Sequence, residues 1–291
     1  MSRFIATQLD LSRLPTPAVV KPGDFEGIKS ARVADMQRRF QIAGIPYDVA
    51  SLESDPAVIL EEVDAYREML DLAAINDAAK AVMLPYALGS DLDVLGAHFG
   101  VARLAGEFDE AYRARIQIAP EAYATAGSVG AYIYHARSVD AAIRDVGVTC
   151  PSPGVARVVV LGSASGEATP AALIDRVHAR LNQDEVRPLT DQIVTLGAAI
   201  ATYAIRLRLT IPAGPDPAIV AATAEAALRQ LAADRYRVGA GLTRSALIGA
   251  AWRPNVRGVA VLSPAADIVA SPLAAPWCAG VVVETEVAAD G

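Results

Sequence analysis

Reactive chemistry in this chain would have to come from three histidines, two cysteines, two glycine-rich loops and the carboxylates. A metal site needs His, Cys or carboxylate donors at short spacing, because several ligands must converge on one ion. His98, His135 and His178 have no carboxylate or cysteine at such a spacing, so each reads as a packed or surface imidazole. Cys150 and Cys278 lie far apart and form no CxxC pair, which favours buried free thiols over a disulfide framework or a zinc site. Gly162-Ser163-Ala164-Ser165-Gly166 has the outline of a nucleophile elbow or phosphate loop. Its centre is Ala164 where a serine is needed, however, and no Lys-Ser/Thr pair follows. Gly239-Ala240-Gly241 lacks the third glycine of a dinucleotide fingerprint. The many carboxylates show no paired spacing that would mark acid–base work. The residues therefore nominate no catalytic group, no cofactor site and no metal site.

Binding chemistry is equally sparse. Arg235 and Arg237 flank Tyr236, with Arg244 nearby in sequence, and such a cluster could hold and stack a base. A net charge of −7 and an isoelectric point near 5.1 oppose a general field for nucleic acid, so a salt-bridged surface or a protein interface is the simpler reading. The start, MSRFIATQLDLSRLPTP, lacks the apolar core of a signal peptide. The uncharged runs 192–205 and 268–283 fall short of the roughly 18–20 residues that a spanning helix needs, and the second contains Pro272 and Pro276. The expectation is a soluble chain made in the cytoplasm, with no membrane insertion.

With no polar constellation to position, the elements themselves become the subject. A length of 291 residues suits about two domains. The hydrophobic fraction is 53%, much of it alanine and valine, with only 5% aromatic residues, so cores should use small side chains and close backbone approach. The strongest single element is a helix expected over 55–84. Asp55 before Pro56 is a start signal, since the carboxylate can accept from orphan amides and proline fits the first helical position. Ile59, Val63, Tyr66, Leu70 and Ala73 follow 4-3-4-3 spacing, and Ala65, Met69, Leu72, Ala79 and Met83 make a second stripe. Glu61, Glu62 and Asp64 near the start and Lys80 near the end suit the helix dipole, and Pro85 stops or kinks the helix. About 30 residues would span about 45 Å, longer than a small domain is wide. Burying one such stripe is worth on the order of 10 kcal/mol before ordering entropy. By pattern alone, a core helix of an ordinary domain and an inter-chain bundle are both open.

Before that helix, Pro15, Pro17 and Pro22 enforce extended chain and a short amphipathic helix is expected over 25–40, together an arm. After it, a helix capped by Ser90 should carry Leu92, Val94, Leu95 and Phe99 on its apolar side and stop at Gly100. Helical pattern returns over 107–119 and 128–145, packing through Tyr112, Ile116, Tyr132, Ala136, Val139 and Ile143. From Asp145 the texture changes to valine-rich strands about a Pro151-Ser152-Pro153-Gly154 turn, then a helix capped at Thr169-Pro170, then strands to Ile211. Within the last of these, 204–209 alternates with period two, so one face should be wet. Pro215-Asp216-Pro217 opens an alanine-rich helix, Thr243 caps a shorter one, and strands close the chain. The fold class is α+β with a mixed or antiparallel sheet.

Several segments resemble the baseplate J-like family, the wedge proteins of contractile phage tails and phage-tail-like particles. They are DLSRLPTPAVV, LESDPAVILEEVDAYRE, INDAAKAVMLPYALGSDLDVLGAHFG, AGSVGAYIYHARSVDAAIRDVGVTCPSPG, DEVRPLTDQI, RVGAGLTRSALIGAAW and LSPAADIV, in order across nearly the whole chain. The resemblance implies a structural protein, not an enzyme, packed as two copies with one partner tail protein into a wedge. Helices of all three chains would share a core bundle, and six wedges would ring the spike hub. Partners would thus be a second copy, the partner wedge protein, and other baseplate, sheath-initiating and spike-hub proteins, with no nucleic acid. The location would be the virion tail baseplate or a tail-like particle, assembled in the bacterial host cytoplasm. Under this scheme 1–50 is an arm, 51–145 a helical core-bundle domain and 146–291 an α+β ring or dimerisation domain. Ile59, Val63, Tyr66, Leu70 and Ala73 would face neighbouring subunits. The bundle would act as a lever and the C-terminal contacts as a bistable element, with hinges near Gly89 and Gly147, coupling fibre triggering to sheath contraction. An enzyme with an unrecognised site and an intracellular adaptor are the rival readings.

Overall fold

A computed structural model describes residues 10–48, 54–124 and 127–288. Residues 1–9 of the expected arm, and the end of the turn leading into the long helix, lie outside the described residues. The chain divides into two compact units, Leu9–Ala102 and Arg103–Gly291. Together they make an α+β fold, with eight α-helices and two three-stranded sheets among the described residues.

The first unit is helical: α1 (Phe25–Ile42), α2 (Pro56–Ala81) and α3 (Gly89–His98). Asp24 caps α1 by accepting from Gly27 N at 3.1 Å. Asp55 Oδ1 caps α2, accepting from Ala57 N at 2.9 Å and Val58 N at 3.4 Å, with Pro56 in the first turn. The helix ends at Ala81, earlier than the expected Leu84. Pro85 removes a donor, its ring clashes with the carbonyl four residues back, and the residue before it avoids helical geometry. At 26 residues α2 is about 39 Å long. Helix α3 starts at Gly89, which takes φ +50°, so Ser90 falls inside the first turn and makes no cap. Leu92 and Gly96 are buried there, whereas Val94 and Phe99, expected on the apolar side, are exposed.

The second unit opens with α4 (Asp109–Ile118), a 3-10 segment (Ala119–Tyr123) and α5 (Val129–Arg137), the last capped by Ser128, which accepts from Ala131 N at 3.1 Å. The helical pattern expected to run to 145 stops at Arg137. Asp140 accepts from Ala142 N at 2.8 Å in a tight turn, and Ile143 already begins a strand. Strands β1 (Ile143–Ser152) and β2 (Val155–Gly162) form an antiparallel hairpin, with Val146 opposite Val160 and Val148 opposite Val158. Helix α6 (Ala171–Leu181) then carries the chain back to β3 (Gln192–Gly197), parallel to β2. The second sheet has β4 (Ala199–Ile211) at its centre. Helices α7 (Pro217–Arg235) and α8 (Arg244–Ala251) precede β5 (Gly258–Ser263), antiparallel to β4, and β6 (Ala274–Val287), parallel to it.

Strand β2 is buried on both faces. Val158 and Val160 pack with Tyr132, Ala136, Leu173, Val177 and Leu181, while Val159 and Leu161 pack with Tyr236, Val238 and Ala275. The alternation in β4 is as expected. Ile205, Leu207, Leu209 and Ile211 are fully buried against Val220, Ala224, Leu228 and Leu247, and Arg206 and Arg208 stand in solvent. Each of those large apolar side chains stabilises the fold by roughly 1.5–3 kcal/mol.

Two further expectations change. Thr169 does not cap α6: its Oγ1 donates to Val160 O at 2.8 Å and accepts from Gly162 N at 3.0 Å, stitching the loop onto β2. Gly147 is no hinge, because it sits within β1, opposite Val159. A Cβ there would come within 2.5 Å of Val238 Cγ1, so it is glycine for close packing.

Candidate assembly surface

The sequence of α2 places two apolar stripes about 100° apart around the helix axis. The structure gives them different fates. In the second, inner stripe Ala65 is buried and Met69, Leu72, Ala79 and Met83 are half-buried, and Val58, on the same side of the helix, is buried with them. Ile59, Val63, Tyr66 and Leu70 of the outer stripe are 45%, 45%, 53% and 48% exposed, and Ala73 is exposed with them. All five nominated residues thus share one face, and that face is open to solvent.

Helix α1 lies antiparallel beside α2. Lys21 N donates to Asn76 Oδ1 at 3.0 Å toward one end, and Tyr47, just beyond α1, meets Asp55 at the other. Between these ends the contact is charged. Arg32 donates from Nε to Glu61 at 3.0 Å, from Nη1 to Glu68 at 3.0 Å and from Nη2 to Asp64 at 3.1 Å, while Lys29 pairs with Glu62. Glu68 is the main cause of a raised Arg32 pKa. The acidic residues that sequence reading credits to the helix dipole are therefore also ligands for α1. Asp35 on α1 is held below the usual carboxylate range, first by its hydrogen bond from Arg38 and then by that from Arg39.

The start of α2 carries a second link. Tyr47 Oη donates to Asp55 Oδ1 at 2.7 Å, the same oxygen that caps the helix. This hydrogen bond pushes the Tyr47 phenol up to about 12 and holds the Asp55 carboxyl below its usual range.

The remaining candidates are structural. Tyr236 is buried, packs edge-on against Trp277 at 5.0 Å, and lies under the Arg144 guanidinium, also at 5.0 Å. Buried in this way, the ring presents no open face to a base. Arg244 donates to the carbonyls of Val261, Pro264 and Ala265, clasping the loop after β5. Cys150 is exposed, contrary to the expected buried thiol, because it lies near the tip of the β1–β2 hairpin, and Cys278 is half-buried on β6. Among the described residues, no three His, Cys, Asp or Glu side chains are grouped to hold a metal, and no helix is long and apolar enough to cross a membrane. Gly162-Ser163-Ala164-Ser165-Gly166 packs against the aromatic pair: Gly166 takes φ +74° and its N donates to Tyr236 Oη at 3.3 Å.

Sequence reading missed one buried pair. Arg115 donates from Nε and Nη2 to the two oxygens of Glu107, at 2.9 and 2.6 Å, with both side chains 4% exposed. Arg103 stacks over the Tyr112 ring beside them at 4.5 Å. The available signal was a charged residue at Arg115 on the same helical face as Tyr112 and Ile116.

Comparison with known proteins matches residues 53–107 to the Baseplate J-like N-terminal domain and residues 124–197 to the Baseplate J-like central domain. The first match takes in α2 and α3, and the second runs from just before α5 to the end of β3. Baseplate protein J of Escherichia phage P2 is 36% identical over 292 residues, which cover 93% of this chain and 95% of that protein.

Proposed function

Because the chain belongs to the baseplate J-like family, and so is a structural component of a phage tail baseplate, we propose that it builds the wedges of that baseplate through the outer face of α2. In this reading two copies join one partner tail protein, and Ile59, Val63, Tyr66, Leu70 and Ala73 form this chain's share of a helical bundle common to the three. The region from 146 onward makes the contacts that close the ring around the spike hub. Movement there passes a signal from the fibres to the sheath. The product is a tail baseplate or tail-like particle assembled in the host cytoplasm, and no catalytic step is involved.

The observation that carries the reading is the open apolar face of α2. Four large apolar side chains at 4-3-4 spacing along one helix form the seam that packs into the holes of a facing helix. Left in water, that seam forgoes roughly 1.5–3 kcal/mol for each side chain it could bury. The test replaces Ile59, Val63 and Leu70 together with Asp in the phage or particle. Complete baseplates are expected to be lost while the purified chain keeps its circular dichroism spectrum. Baseplates that assemble normally with these substitutions would remove the bundle from the account.

A further inference from the structure

Helix α1 contributes few buried apolar groups to its contact with α2. Met36 is its one buried side chain among the described residues, with Phe25, Ile28, Val33 and Phe40 half-buried. The charges are concentrated in one place. Glu61, Glu62, Asp64 and Glu68 crowd eight consecutive residues of α2, and Arg32 and Lys29 of α1 engage all four. These ion pairs are partly open to water, with the Arg32 side chain 33% exposed, so dissolved salt reaches and screens them. Apolar burial is not screened in this way. We propose that α1 is a charge-latched strap, released from α2 by ionic strength while α2 remains helical. Its release bares Val58 and, of the inner stripe, Ala65, Met69 and Leu72, beside the outer stripe.

Helix α2 has the means to outlast its strap. It has 26 residues, a capped start at Asp55 and an alanine-rich second half, whereas α1 is 18 residues with Gly27 in its first turn. Salt that frees Arg32 also screens the mutual repulsion of the four acids left behind on α2. The inference stands apart from the baseplate reading, since it concerns only the isolated chain.

Hydrogen exchange on the full wild-type chain tests it, comparing about 0.1 M with about 1 M sodium chloride, where the screening length falls from roughly 10 to 3 Å. Amides of α1 should exchange about tenfold faster or more at high salt, with α2 and the β4–β6 ladder unchanged. Unchanged α1 protection would overturn the proposal, and so would α1 and α2 losing protection together. The variant Lys29→Gln/Arg32→Gln should show at low salt the fast α1 exchange of the wild type at high salt. A folded variant whose α1 stays protected would also overturn it. If the variant does not fold, the wild-type salt comparison decides alone.

Discussion

The hydroxyl of Tyr47 donates to Oδ1 of Asp55 across 2.7 Å, and that oxygen also receives the amides of Ala57 and Val58. One carboxylate thereby starts α2 and ties the segment after α1 to it. The phenol is pushed up from 10.0 to about 12 by this bond. A raised phenol pKa means that the folded state favours the protonated form, so its stabilisation is complete below pH 10 and is lost as pH rises through about 12. Asp55 is shifted the other way, so its contribution is present above the ordinary carboxylate range and is lost as pH falls below it. Tyr47→Phe should therefore unfold at lower urea concentration than wild type near neutral pH, and the two midpoints should converge above about pH 12. A constant gap from pH 7 to 12 would refute the linkage.

The Glu107–Arg115 pair makes a sharper demand. Glu107→Gln leaves a guanidinium in the interior facing a neutral amide, and removing one member of a buried pair costs roughly 3–5 kcal/mol. In a domain of this size that lowers the melting temperature by on the order of 10 °C. Calorimetry of the variant checks it, and a shift under about 3 °C would mean that the pair is not buried as described.

Neighbouring residues on β4 should answer oppositely. Leu207→Ala empties a fully buried position and should cost about 2–5 kcal/mol. Arg206→Ala removes an exposed ion pair with Glu284, 2.9 Å away, and should cost less than about 1 kcal/mol. Denaturant midpoints of the two variants test the facing of the strand directly.

These contrasts show what could be read from the chain. Signals that act within a few residues were legible: the caps Asp55 and Thr243 receive the expected amides, Pro215-Asp216-Pro217 opens α7, and the alternation over 204–209 gives the facing of β4. Signals that depend on distant partners were not. Thr169 looks like a cap until β2 is beside it, and Ile143 fits a helical period until its pairing with Gly162 draws it into a strand. Nothing local to Arg32 marks it, because the three carboxylates that hold it come from α2. The outer stripe of α2 was legible as apolar and regular. Its solvent exposure was not, because periodicity identifies a face without saying what lies against it.

The central claim is that neighbouring subunits cover this face in the baseplate. Hydroxyl-radical footprinting of the free chain and of assembled baseplates, read at Tyr66 and Leu70, tests it most directly. The account predicts strong oxidation of both residues in the free chain and protection of both in the particle. Equal oxidation in the two states would contradict it.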